Sequence, residues 1–360
     1  MSRPNAYTPG RGPEVSMIRS LREVQEGRTH DAFALMRARR ESVDRNGQPY
    51  LDLILADKHA SFPAKVWGDT REVLEAAKGL PVGTPVKVRF QVSAFQGEPQ
   101  LKVQILRAAR ESDEGYTPEN LYGPGYALAK DLLIPTPVID VETVPAQNVR
   151  ELPPTVAQAL AKYAERGEMD EAKAMSLSPL FGRVVSLAIG DGDRPAADQR
   201  VQVLVVPPPG VDASALPEWI HPMEEADLLR AFWTLAAAAE TVVTFNGRGF
   251  DVPFLIGRSL VHGIEVQADL LAHRYALQPH TDLYRVLGQG ERNLGPANLD
   301  VWCWAMGIAS PKEDMDGSMV AATYERGEIE KIAHYNANDV RATVALYQRA
   351  KELLFAHLRG

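Results

Sequence analysis

Cysteine is nearly missing from this chain: Cys303 stands alone. No disulfide can form within it, and a reducing cytoplasm is the compartment expected. Long apolar runs are missing as well. No stretch approaches the roughly 18–20 apolar residues that span a bilayer. The first twenty residues, MSRPNAYTPGRGPEVSMIRS, lack the apolar core of a secretory signal. No membrane partner is therefore expected. The eight histidines show no metal-ligand spacing, and no segment repeats at a fixed period.

What is present is ample apolar material. With 360 residues, 45% of them hydrophobic and 24% charged, the chain has a globular composition and enough length for two cores. Its net charge of −8 argues at first against nucleic acid as a partner, but the charge is unevenly spread. Residues 1–115 carry 18 Lys+Arg against 15 Asp+Glu, and the remainder carries 21 against 32. A slightly basic N-terminal part therefore precedes an acidic C-terminal part. Carboxylates clustered around metal add to such acidity, although an ordinary solvated surface explains most of it.

Residues 1–18, rich in Pro, Gly and polar side chains, read as a flexible N-terminus. From about 29 to 107 apolar and polar residues alternate. Leu51, Leu53 and Leu55 share one face, as do Phe62, Ala64 and Val66. The same holds for Val86, Val88, Phe90 and Val92, and for Leu101, Val103 and Ile105. Period-two alternation predicts strands with one buried face. A single short helix, Thr70 to Lys78, is expected between the third and fourth strands, capped by Thr70 and closed near Gly79. Five strands with a helix in that place is the order of an OB-fold barrel. The stretch YLDLILADKHASFPAKVWGD resembles the second and third strands of bacterial nucleic-acid-binding OB domains. The domain reading is 19–112 for this OB-fold nucleic-acid-binding domain and 113–135 for a linker. Residues 136–360 read as a second domain of α/β or α+β type, with strands first and helices interleaved later.

Three short patterns in the second domain carry chemistry. In Val138-Ile-Asp140-Val-Glu142, two carboxylates two residues apart on an apolar strand share one face, a costly pairing unless protons or cations neutralise it. Alone, the pattern is common and reads more readily as two surface acids on an edge strand. In Asn246-Gly-Arg-Gly-Phe250-Asp251 a Gly-x-Gly turn follows a strand and leads into a helix, with Asp251 in its first turn. Alone, Asp251 fits an ordinary helix-start acid equally well. In Tyr335-Asn-Ala-Asn-Asp339, Tyr335 and Asp339 lie four apart on one helix face. Alone, that is the polar side of an amphipathic helix.

Together and in this order, the three resemble the Exo I, Exo II and Exo III motifs of DEDD 3′→5′ exonucleases, in the subclass marked by a tyrosine. The segments Phe245-Asn-Gly-Arg-Gly-Phe-Asp-Val-Pro, His280-Thr-Asp-Leu and Met315-Asp-Gly-Ser are similar to stand-alone bacterial exonucleases related to the exonuclease domain of family B DNA polymerases. The resemblance covers about 136–355 and implies a multi-domain protein: an all-β OB barrel followed by an α/β ribonuclease-H-like exonuclease domain. It implies two divalent cations, Mg²⁺ or Mn²⁺, because such hard ions take oxygen ligands. Asp140 would bridge the two. Glu142 and Asp339 would help hold the one that activates water, Asp251 would hold the other through water, and Tyr335 would orient the attacking water.

Asn246 is a candidate contact to the terminal nucleotide, and Phe250 either stacks on that nucleotide or belongs to the core. Asp282 reads as structural. On the OB domain, Lys65, Trp67, Lys87, Arg89, Phe95 and Lys102 are candidate contacts to a single strand, by aromatic stacking and a cationic groove, with Phe95 expected in the loop joining the last two strands. The expected substrate is a single-stranded DNA 3′ end, with RNA as the alternative on the same scaffold. A non-catalytic single-strand-binding protein is the remaining reading, and the presence of all four carboxylates and the tyrosine weighs against it. DNA repair, replication clean-up and plasmid or phage functions all stay open as the pathway served.

Overall fold

The computed structural model describes residues 15–95, 97–272, 277–288, 297–311 and 315–355. The chain divides into two units, Met1–Gly123 and Pro124–Gly360.

The first unit contains β1 (Val15–Met17), β2 (Thr29–Val43), β3 (Pro49–Ala56), β4 (Ser61–Val66), α1 (Arg71–Gly79), β5 (Pro85–Phe95), β6 (Glu98–Ala108) and α2 (Pro118–Tyr122). The sheet runs β1-β2-β3-β4-β6-β5, and β5 returns to pair with β2. Strands β2 to β6 therefore close a five-stranded barrel of the OB type, with α1 between the third and fourth barrel strands. Closure depends on the length of β2. Its first half pairs with β5 and its second half with β3, and a bulge between Met36 and Ala38 bends it from one partner to the other. The interior is filled by the alternating residues, among them Leu51, Leu53, Leu55, Val88, Phe90, Leu101 and Val103, all nearly inaccessible.

Three local expectations change. Ile105 faces outward at 49% exposure, and Leu106 is buried instead. A register shift between Arg89 and Phe90 sets Ile105 opposite Arg89, which reverses the inward set at the end of β6. Thr70 does precede α1, but its hydroxyl donates to the Trp67 carbonyl and caps no helix N–H. At the other end of α1, the Arg39 guanidinium donates to the carbonyls of Ala77, Lys78 and Leu80, satisfying groups a helix end leaves open. Phe95 ends strand β5 rather than sitting in the following loop.

Of the expected flexible N-terminus, residues 1–14 lie outside the described residues. Val15–Met17 pairs in parallel with Thr29–Asp31, and Ile18 and Leu21 are buried beside it. The expected linker at 113–135 is ordered at both ends. Arg107 forms a two-pronged ion pair with Asp113, and Leu121 and Tyr122 are buried in the first unit. Downstream, α3 (Tyr126–Ala129) belongs to the second unit, where Gly125 lies so close to the Arg230 carbonyl that a Cβ would sit 2.2 Å from it. Helices of four and five residues are too short to leave a readable period in the sequence.

The second unit continues with β7 (Pro137–Pro145), α4 (Pro154–Arg166), α5 (Glu171–Ser176), β8 (Gly182–Asp191), β9 (Gln202–Val205), β10 (Ile220–Pro222) and α6 (Glu225–Ala238). It ends with β11 (Val242–Thr244), α7 (Asp251–Val261), β12 (His280–Asp282), α8 (Leu283–Leu287), α9 (Leu299–Met306), α10 (Val320–Glu325) and α11 (Ile329–Leu353). Its sheet has the order β10-β9-β8-β7-β11-β12. The pairs β7–β8 and β8–β9 are antiparallel, whereas β7–β11 and β11–β12 are parallel. Alternate residues of the strands feed two cores. Val138, Ala188, Val203 and Val243 pack with Ile332, Ala333, Ala337 and Val340 of α11. Ile139, Val141, Leu187 and Leu204 pack with Leu228, Phe232 and Leu255 of α6 and α7. This helix-covered mixed sheet is the α/β, ribonuclease-H-like domain expected. Gly190 of β8 lets α11 lie close, since a Cβ there would meet Val340 at 2.7 Å. Among the described residues, no helix is long and apolar enough to cross a membrane.

Candidate active site

Asp140 and Glu142 lie on β7 on the same face as Val138, which is the face α11 covers. The long helix α11 then brings Asp339 to the strand. One carboxylate oxygen from each of Asp140, Glu142 and Asp339 lies within 4.8 Å of the others. At that separation each like-charge pair costs about 3 kcal/mol at an effective dielectric of about 20.

Asp251 joins by a different route. Strand β11 stops at Thr244, so beyond that point β7 has no strand partner on this side. The Val141 N–H, between Asp140 and Glu142, donates instead to Asp251 Oδ1 at 3.2 Å. The fourth carboxylate is therefore tied to the backbone between the first two, beside the trio rather than within it.

The electrostatics follow from this crowding. Burial, then the charges of Asp251, Asp339 and Glu142, hold the Asp140 carboxyl well above its ordinary range, while a hydrogen bond from Asn336 works the other way. Glu142 is also raised, by burial and by Asp339 and Asp251, against an opposing pull from Lys173. Asp251 is raised to about 7 by burial, with Asp282 and Asp339 adding to it and backbone hydrogen bonds, including that from Val141, opposing. Burial, together with the charges of Glu142, Asp339 and Asp140, pushes the Tyr335 phenol above its usual value, and Tyr335 is hydrogen-bonded to Asp339. Carboxylates forced together in this way favour protons or cations, and a set of carboxylate oxygens suits a hard divalent ion.

The turn into α7 is held from below. Asp282, at the end of β12, accepts the N–H groups of Asn246 (2.9 Å), Arg248 (3.0 Å) and Tyr284 (3.1 Å). Three backbone bonds make it a brace for the turn. Asn246, not a glycine, carries the left-handed backbone there, at φ 64°. The glycines serve close approach: a Cβ on Gly247 would meet the Thr244 side chain at 2.4 Å. Thr244 and the Leu270 carbonyl engage the two ring nitrogens of His280, each at 2.8 Å. Burial holds this imidazole down to about 4, so it is neutral. Phe250 is partly buried, with its ring 5.5 Å from that of Phe254 at the edge of the α6–α7 core.

Two residues here went unread in the sequence. Asn336, wholly buried, donates from Nδ2 to Asp140 Oδ2 at 2.6 Å. Ser186 of β8 donates to its Oδ1 at 2.8 Å. The available signal was the place of Asn336 between Tyr335 and Asp339 on one helical turn.

On the barrel, most of the candidate contact cations already have partners. Lys65 pairs with Asp52 at 2.8 Å and lies over the Tyr50 ring, which stacks beside Trp67 at 5.1 Å. Arg89 grips Asp31 through two bonds of 2.7 and 2.8 Å. Lys87 lies 5.4 Å from the Phe33 ring. Lys102 is exposed and is the cross-strand neighbour of Lys65, and Phe95 is 57% exposed.

Residues 219–358 match the sequence model of a family described as "Predicted 3'-5' exonuclease related to the exonuclease domain of PolB". The match takes in Asn246, Asp251, Tyr335 and Asp339 and begins after Asp140 and Glu142. Over 97 residues, 27% of its length, the chain is 33% identical to the 3′-5′ exoribonuclease YhaM of Listeria monocytogenes serotype 4b, covering 30% of that protein. Among solved structures, the family B DNA polymerase of Pyrobaculum calidifontis is 15% identical, with 89% of this chain and 46% of the polymerase covered at a TM-score of 0.43. A domain of replication protein A from Methanococcus maripaludis is 17% identical, covering 26% of this chain and 97% of that one at a TM-score of 0.22. The chain spans less than half the length of the exoribonuclease and of the polymerase.

Proposed function

We infer that this chain, whose residues 219–358 carry the exonuclease family match, removes nucleotides from the 3′ end of a single strand by hydrolysis. The observation that carries the reading is the meeting of Asp140, Glu142 and Asp339 within 4.8 Å, with Asp251 tied to the strand beside them. Two divalent cations, Mg²⁺ or Mn²⁺, would supply when bound a water acidic enough to react near neutral pH and positive charge at the phosphate. Asp140, Glu142 and Asp339 would hold the cation that activates water, and Asp251 would serve the second. Tyr335, kept protonated by its surroundings, donates a hydrogen bond that orients the water and does not act as a base. Attack at phosphorus breaks the bond to the 3′ oxygen of the preceding nucleotide. A nucleoside 5′-monophosphate departs, and the shortened strand keeps a 3′ hydroxyl after that oxygen takes up a proton.

Asn246 and Phe250, on the turn that leads to Asp251, are placed in this reading at the terminal nucleotide. The barrel supplies grip on the strand through Lys65, Trp67, Lys87, Arg89, Phe95 and Lys102, with Trp67, beside Tyr50, as the stacking platform. DNA is the substrate we favour, since the matched family is described by its relation to the exonuclease domain of PolB. The identity to an exoribonuclease specifically favours RNA as the second reading. The test is 5′-labelled single-stranded DNA and RNA of one sequence, incubated with Mg²⁺ or Mn²⁺. A ladder shortening from the 3′ end of DNA is expected. A ladder on RNA alone would move the function to RNA turnover, and binding without cleavage of either would leave only the strand-binding reading.

A further inference from the structure

We propose that Asn336 is a positioning residue for Asp140, completing the cation centre from beneath with Ser186 as its anchor. The proposal rests on the cation-dependent reading of the carboxylate cluster. Asn336 is fully buried, so both ends of its carboxamide need partners. The Ser186 hydroxyl donates to Oδ1, and Nδ2 donates to Asp140 Oδ2. The opposite orientation of the amide would set its oxygen against the carboxylate, two acceptors facing each other. The amide therefore holds Asp140 in one rotamer, with Oδ2 as the acceptor. This bond takes one lone pair of Oδ2 and leaves the carboxylate further lone pairs for a cation.

The relay also joins three elements. Ser186 stands opposite Glu142 in the β7–β8 register, and Asn336 shares one turn of α11 with Tyr335 and Asp339. One turn of helix thus carries a ligand, the water-orienting tyrosine and the brace for a ligand on the strand. Without the brace, the repulsion among the carboxylates would turn Asp140 away from the cluster. Outer-shell hydrogen bonds of this kind typically govern metal affinity by 10–100-fold.

The test is Mn²⁺ binding to the full chain without substrate, read from free Mn²⁺ by electron paramagnetic resonance, together with the melting temperature of the metal-free protein. Asn336→Ala and Asn336→Asp, which trades the donor for a like charge, are each expected to weaken binding on the order of 10-fold. Turnover should recover substantially at saturating Mn²⁺. Ser186→Ala should weaken binding in the same direction by less. Unchanged Mn²⁺ affinity in Asn336→Ala, with or without a lowered melting temperature, would overturn the proposal and leave the exonuclease reading intact. If that variant does not fold, unchanged affinity in Ser186→Ala overturns it equally. A wild-type protein that binds no Mn²⁺ would instead overturn the cation-centre reading on which the proposal rests.

Discussion

Tyr335 is a group whose chemistry is set by its neighbours more than by its own kind. Partial burial and three nearby carboxylates favour its neutral form, so it can donate a hydrogen bond across any working pH. Tyr335→Phe removes that donor and keeps the ring. We expect turnover to fall roughly 10²-fold or more, in the range typical of losing a positioned polar group in catalysis, with Mn²⁺ affinity within a few-fold of wild type. Single-turnover rates beside a Mn²⁺ titration decide this, and loss of the metal would make Tyr335 a structural residue. At this scale the sequence was legible wherever spacing carried meaning: Asp140 with Glu142, and Tyr335 with Asp339. Asn336 escaped notice because its partners, Asp140 and Ser186, are 196 and 150 residues away in sequence. The Gly-x-Gly turn was legible from its residues, but its glycines serve close approach, and Asn246 takes the left-handed backbone.

Elements are fixed to one another by a few buried polar contacts. Asp282 ties β12 to the turn before α7 through three backbone N–H groups. Asp282→Ala should leave those donors unpaired and cost about 2–3 kcal/mol of stability. It should also lower turnover, because the turn leads to Asp251. Denaturant unfolding and initial rates measure the two effects, and a variant as stable as wild type would remove the brace from the account. Glu225 at the start of α6 accepts from Arg258 and His262 and from the Val184 N–H, linking α6, α7 and β8. Burial works to raise this carboxyl, but the bonds from Arg258 and His262 outweigh it and hold it below its ordinary value. A depressed acid lends stability above its unfolded pKa, and that stability is lost as pH falls through the folded value. Glu225→Gln should therefore cost about 3 kcal/mol near pH 7, where it strands the Arg258 charge. The gap between variant and wild type should shrink below about pH 4. A gap independent of pH would show that packing, not charge, is lost. Element types were readable where the period was long, as in the barrel strands and α11. The three-residue strands β10 and β12 and the four- and five-residue helices α2 and α3 were not, because tertiary contacts rather than local pattern hold them.

For the molecule as a whole, the cluster makes stability depend on cations and pH together. Asp140, Glu142 and Asp251 are all raised in the folded protein, Asp251 to about 7. A raised acid favours folding at low pH and withdraws that support as pH rises through its folded value. His280 has the opposite sign: its imidazole, held down to about 4, supports folding above about pH 6.5 and loses that effect as pH falls toward 4. In chelator, the second unit should therefore gain stability as pH drops from 8 toward 5, with His280 reducing the gain below about pH 6.5 without cancelling it, because three raised carboxyls oppose one histidine. Saturating Mn²⁺ should flatten or reverse the upper slope and add about 2.7 kcal/mol at one hundred times its dissociation constant. Melting curves over pH 5–8, with and without Mn²⁺, test this, and a slope of the same sign in both conditions would contradict it. Two units were foreseeable from length and from the change in pattern near residue 110. The exact division was not, because the short helices between the domains pack separately, one into each unit.

The most direct test of the account compares wild type with Asp140→Ala on 5′-labelled single strands in Mn²⁺, measuring cleavage and strand binding on the same preparations. The account predicts a ladder shortening from the 3′ end in wild type, none in the variant, and strand affinity within a few-fold between the two, because the barrel is untouched. A variant that degrades the strand as wild type does would contradict the assignment of the carboxylate cluster as the catalytic centre.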